Sequence, residues 1–219
     1  MIIRRRSHSI ANRIAALAAL ALFALVCVLA PSCARAQEKK LEEITRLPRH
    51  EQEDLLQAYV AAHPDDAEGH FAFGNWLYDE YRTTDAVTSY EKALALNPDH
   101  FRALVNAALV LENAGRGEES LEMYEEFLAR HPNDARALAH YGETQWTLGR
   151  RSQAVDSFRK ALSIDAHCAE AHFHMGVAFA EMGILREAIR EWEHVVKAGE
   201  PKDLAARSRE NITKAKEKL

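Results

Sequence analysis

The run from Ser152 to Leu162 sets Ala154, Val155, Phe158, Ala161 and Leu162 on one helical face and leaves polar side chains on the other, the pattern of an amphipathic helix. The same pattern returns every 34 residues. Val87, Leu121, Val155 and Ile189 form one apolar column at that interval, and Leu94, Leu128, Leu162 and Val196 form a second. The aromatics Tyr90, Tyr124, Phe158 and Trp192 form a third, while Ala86, Ala154 and Ala188 coincide, with Ser120 in the remaining place. Pro64, Pro98 and Pro132 keep the same spacing. A period of this length points to a row of stacked modules in place of one globular core. The array divides without gaps into four units: 67–100, 101–134, 135–168 and 169–202.

Each unit reads as two helices. Gly74, Gly142 and Gly176 share one phase with Ala108, where a large side chain would push two helices apart. Gly115, Gly149 and Gly183 follow seven residues later and suit a left-handed helix end, where a Cβ carries a steric cost. These small residues, the alanine, the aromatic and the terminal proline resemble the motif positions of tetratricopeptide repeat proteins over residues 67–202. The resemblance implies an all-α fold, a right-handed solenoid of helix–turn–helix units. Departures are local: Tyr81 stands at the turn glycine of the first unit, Phe127 at a small position of the second and Ala166 at the proline of the third, and Pro201 comes one residue late.

Such arrays need covered ends. Leu55, Leu56, Tyr59 and Val60 fall in the second-helix register, so 37–66 is read as a linker and a half-repeat helix that starts the stack. Pro201 suits the first turn of a new helix. Leu204, Ile212, Ala215 and Leu219 then make a narrow stripe, so 203–219 is predicted to be a C-terminal capping helix.

The resemblance also implies a concave groove lined by the second, fifth, ninth and twelfth residues of each unit. Its candidate ligand positions here are Phe71, Asn75, Tyr78, Arg102, Val105, Leu109, Glu112, Arg136, Glu143, Trp146, Phe173 and Val177, with Glu68, Ala139, Glu170 and Ala180 completing the set. Large apolar side chains left outside a core mark an interaction surface. Aromatic anchors beside Arg102 and Arg136 have the composition of a binding hot spot. Tyr78 and Trp146 are expected to meet a ligand, whereas Val105 and Leu109 suit equally the space between first helices. The lysine and asparagine pattern of the family's chaperone-binding members is not reproduced.

Residues 1–36 differ in kind. Arg4, Arg5, Arg6 and Arg13 precede an apolar stretch from Ile14 to Ala30, and Ala34-Arg35-Ala36 follows, which reads as an export signal cleaved before Gln37. An uncleaved membrane anchor is the main rival, since the stretch falls only slightly short of the ~20 residues that span a bilayer. Lipidation at Cys33 and twin-arginine export are weaker readings. Each version places the repeats outside the cytoplasm, in the periplasm or on the membrane.

Charge narrows the partners. Residues 1–36 hold five of the 28 basic residues and no acid, so the remainder carries 23 basic against 33 acidic residues, which argues against nucleic acid. Cys168 is alone in the repeats and reads as a small turn residue. No nucleophile elbow, phosphate-binding loop or Cys-x-x-Cys occurs, so no enzyme and no cofactor is expected. His167, His172 and His174 cluster in sequence, but histidines two apart on a helix diverge, and no metal site is predicted. Asn211-Ile212-Thr213 matches a glycosylation acceptor that matters only in a eukaryotic secretory route. Glu118, Glu119, Glu122, Glu125 and Glu126 read as a solvated outer face, with a docking patch for a basic partner as the sharper alternative. The expected function is a non-catalytic scaffold of the cell envelope that binds a peptide or an amphipathic helix of another protein in its groove. A structural subunit or assembly factor of an envelope complex, of outer-membrane, pilus or cytochrome-maturation type, is the alternative.

Overall fold

The computed structural model describes residues 37, 38, 40–199 and 201–219, and among them every regular element is a helix. The expected export segment, with Cys33, lies outside the described residues. The chain forms two compact units, 1–63 and 64–219.

The described part of the first unit is helical at 40–45 and again in α1, Arg49–Ala62. Leu56 and Tyr59 are buried on α1, as are Leu41 and Ile44 before it. The Tyr59 hydroxyl donates to the Gln37 carbonyl, and the Tyr59 and His63 rings lie 4.7 Å apart. Leu55, expected on the apolar face, is instead exposed.

The second unit is an array of helix pairs: α2 (Ala67–Asp79) with α3 (Thr83–Leu96), α4 (Phe101–Asn113) with α5 (Gly117–Arg130), α6 (Ala135–Thr147) with α7 (Arg151–Ile164), and α8 (Ala169–Glu181) with α9 (Leu185–Ala198). A last helix, α10 (Lys202–Lys216), follows. Within this unit each helix packs on its chain neighbours, and α6 also meets α8. Three of the four first helices start under a short polar cap: the side chains of Asp66, His100 and Asp134 accept backbone N–H bonds from Glu68, Ala103 and Ala137. They end in a common way. The N–H of Gly115 reaches Glu112 O and that of Arg116 reaches Leu111 O, which satisfies the last carbonyls of α4 with Gly115 at φ +75°. Gly149 and Gly183 repeat this geometry, and so does Tyr81, which adopts φ 61° without being glycine.

Between the helices of a pair the aromatic column rests on the small column. Tyr90, Phe158 and Trp192 lie so close to Gly74, Gly142 and Gly176 that a Cβ on each glycine would stand 2.5–2.6 Å from the ring. In the second unit Ala108 and Tyr124 share one core cluster with Phe127, which fills its position at 4% exposure.

Helix α10 covers the last pair. Leu204 and Ala215 are buried with Ile189, Trp192 and Val195, and Ile212 packs against them. Leu219 is 67% exposed and lies outside this stripe, and Pro201 stands at the N-cap, one residue ahead of the helix. The outer acids form surface pairs, Glu118 with Arg150, Glu119 with Arg116 and Glu126 with Arg130, while Glu125 accepts from the Tyr141 hydroxyl.

Candidate functional site

The first-helix face is polar in a regular way, because side chains of one unit bond to those of the next. Asn75 Oδ1 accepts from Asn106 Nδ2 at 2.7 Å and from the Tyr90 hydroxyl at 2.9 Å. Glu143 Oε2 stands in the same relation to His174 Nε2, at 3.2 Å. The Tyr78 hydroxyl accepts from Asn113 Nδ2 at 3.2 Å, and at the corresponding place Trp146 Nε1 donates to Glu181 Oε2 at 2.8 Å. Glu112 Oε1 accepts from the Thr144 hydroxyl at 2.6 Å and from Ser120 at 3.1 Å. Burial pushes the Glu112 carboxyl above the usual range, although both hydroxyls oppose the shift. Glu68 receives Arg102 through both carboxylate oxygens.

Two expected ligand anchors are not available. Phe71 is 7% exposed, wedged against Tyr90 and His100, with the Arg102 guanidinium 4.7 Å above its ring. Phe173 is 2% exposed in the core cluster of Trp192 and Leu204, with Arg207 of α10 laid over it at 4.5 Å. Both rings do find a core: elements that follow them in the chain close over their position. Val177 packs against the same cluster as Phe173. Trp146 is half-buried on the cluster of Ala154, Phe158, Met175 and Ala178, with Arg151 over its outer side at 5.3 Å.

The remaining candidates are at least partly exposed. Leu109 is 45% exposed at the middle of α4, one turn from the half-buried Val105. Arg136, on α6, is exposed and stacks over Phe101 at 4.6 Å. Asn75, Tyr78, Glu112 and Glu143 hold their places through the bonds just described.

The inner face also contains three groups that converge. His140 and Glu143, three residues apart on α6, meet His174 from α8, and one ligand-capable atom of each lies within 4.8 Å of the others. Burial lowers the His174 pKa to about 4, with the nearby Glu143 carboxylate opposing. Asn106, Asn113, Thr144 and Glu181 were not singled out by the groove positions. Each sits 31–35 residues from its partner, a spacing that a search for pairs one unit apart would have found.

A row of helix pairs whose first helices share one face defines a helical repeat protein. The chain belongs to the tetratricopeptide repeat family, whose profile matches residues 71–135, 111–167 and 142–203. No curated protein matches the chain. Among solved structures it resembles a thermophilic tetratricopeptide repeat protein of Thermus thermophilus, at 16% identity and a TM-score of 0.63, over 81% of this chain and 99% of that one. It also resembles MamA of Desulfovibrio magneticus, at 22% identity and a TM-score of 0.53, over 83% and 94%. A tetratricopeptide repeat protein of Parabacteroides merdae is similar at 18% identity and a TM-score of 0.60, over 84% and 75%. At these identities the likeness shows the fold.

Proposed function

We propose that this chain is a non-catalytic scaffold that holds a peptide segment or amphipathic helix of another protein against the inner face of its repeats. The observation that carries this reading is Leu109, a large apolar side chain 45% exposed on a face where Asn75, Tyr78, Glu112 and Glu143 are tied into polar pairs and Phe71 and Phe173 are buried. Arg136, at the start of the next first helix, is exposed and stacks on Phe101 with no carboxylate partner among the described residues, so a ligand with an apolar side chain and an acidic group suits the two positions. Val105, Tyr78 and the outer side of Trp146 extend the contact. Export follows from residues 1–36, with their basic head, apolar stretch and Ala34-Arg35-Ala36. No described helix is long and apolar enough to cross a membrane.

A second reading has its own support. Two clefts of about 470 and 430 Å³ repeat between successive second helices, one lined by Leu94, Pro98 and Met123 and the next by Leu128, Pro132 and Ser157. A structural subunit of an envelope complex would use such outer surfaces. Capture from envelope extracts with the parent and with Leu109→Glu separates the two readings: groove binding predicts loss of the partner, outer-face assembly its retention. The mass of the envelope-borne chain tests export, with Gln37 expected as its first residue.

A further inference from the structure

We infer that His140, Glu143 and His174 form a binding site for one divalent transition-metal ion of the zinc class, joining the third repeat to the fourth across the inner face. This goes beyond the groove reading and stands or falls independently of it.

Two of the three donor separations already match those around a tetrahedral ion. Bonds of about 2.0–2.1 Å to nitrogen or oxygen place neighbouring ligand atoms roughly 3.3–3.5 Å apart. Glu143 Oε2 lies 3.4 Å from His140 Nδ1 and 3.2 Å from His174 Nε2, and the remaining pair also falls within 4.8 Å. Little movement is needed to close the set on an ion.

The two imidazoles are held by aromatic walls. His140 lies parallel to Tyr124, with centroids 6.4 Å apart and planes at 6°. His174 lies parallel to Phe158 at 6.1 Å and meets Phe173 edge-on at 5.4 Å. Rings fixed in this way lose little freedom on binding, so the ordering cost that weakens surface histidine pairs is already met by the fold.

Arg207 faces the cluster from α10 and repels a cation, so affinity must come from the three coordination bonds. Two nitrogens and one carboxylate suit zinc, cobalt and nickel better than magnesium or calcium. The Glu143 side chain is 42% exposed, which leaves the fourth position open to water.

The purified chain, stripped by a chelator, is titrated with Zn²⁺ by calorimetry and with Co²⁺ by visible spectroscopy near pH 7.5. We expect one ion per chain, a tetrahedral cobalt spectrum and a Zn²⁺-dependent rise in Tm. His140→Gln and Glu143→Gln should each weaken binding by at least about 100-fold, more than follows the loss of an outer-shell partner. Both residues are partly exposed, so these variants should fold, and their melting without metal checks this. His194→Gln, away from the cluster, should bind as the parent does. Absence of uptake, an octahedral cobalt spectrum, or parental affinity in both His140→Gln and Glu143→Gln would overturn the assignment.

Discussion

The Phe158 ring occupies the space that Gly142 leaves by having no side chain: a Cβ on Gly142 would stand 2.6 Å from Phe158 Cε1 and 3.1 Å from Ser157 Cβ. The contact sets how closely α6 and α7 approach. Gly142→Ala gains about 1 kcal/mol of helix propensity but must displace a fully buried ring, at a cost of about 1–3 kcal/mol. Net destabilisation of about 1 kcal/mol is expected in denaturant melts. Phe158→Ala removes the ring itself and should cost about 3–5 kcal/mol.

Tyr81 provides a test of the opposite sign. It holds the left-handed position at φ 61° with its side chain 91% exposed, where the other three units have glycine. The left-handed strain of a residue with Cβ is about 1–2 kcal/mol, and glycine's extra chain entropy offsets part of it. Tyr81→Gly should therefore raise stability by about 0.5–1 kcal/mol, seen as a higher Tm with an unchanged helical spectrum.

The columns at 34-residue spacing made the helix pairs, the tight glycines and the turn glycines legible, because each depends on residues inside one unit. What the sequence hid lies between units. Phe71 and Phe173 hold ligand-facing phases, yet His100 and Arg102 close over one and Arg207 over the other. Local periodicity carries no signal for such closure. The His140 cluster is hidden for a related reason: spacing within one helix carries no sign of it, because His140 and His174 share a phase in successive units and meet only through stacking. Cys168, read as a small turn residue, is buried at the N-cap of α8, and burial pushes its thiol up to about 11.

Alkaline pH should loosen the first pair. The Tyr90 hydroxyl donates to Asn75, and burial raises its pKa from 10.0 to about 12. A folded-state pKa above the unfolded value means that its stabilisation is complete below pH 10 and is lost as pH rises through about 12. Tm should fall across that window. Tyr90→Phe should flatten the slope without abolishing it, since burial also raises Tyr124 and Tyr141, and should cost about 1 kcal/mol at neutral pH for the lost hydrogen bond.

Binding of a protein segment through Leu109 can be measured directly. Peptides selected on the intact chain from an unbiased display library provide a ligand, and the decisive measurement is their affinity for three proteins: the parent, Leu109→Glu, and Leu96→Glu. Leu96, at the end of α3, is about as exposed as Leu109 but lies on a second helix. Both substitutions fall on exposed side chains and should leave melting unchanged. Leu109→Glu should weaken binding by about 2 kcal/mol or more, some 30-fold, while Leu96→Glu should bind as the parent does. Parental affinity in Leu109→Glu, or a loss confined to Leu96→Glu, would contradict it.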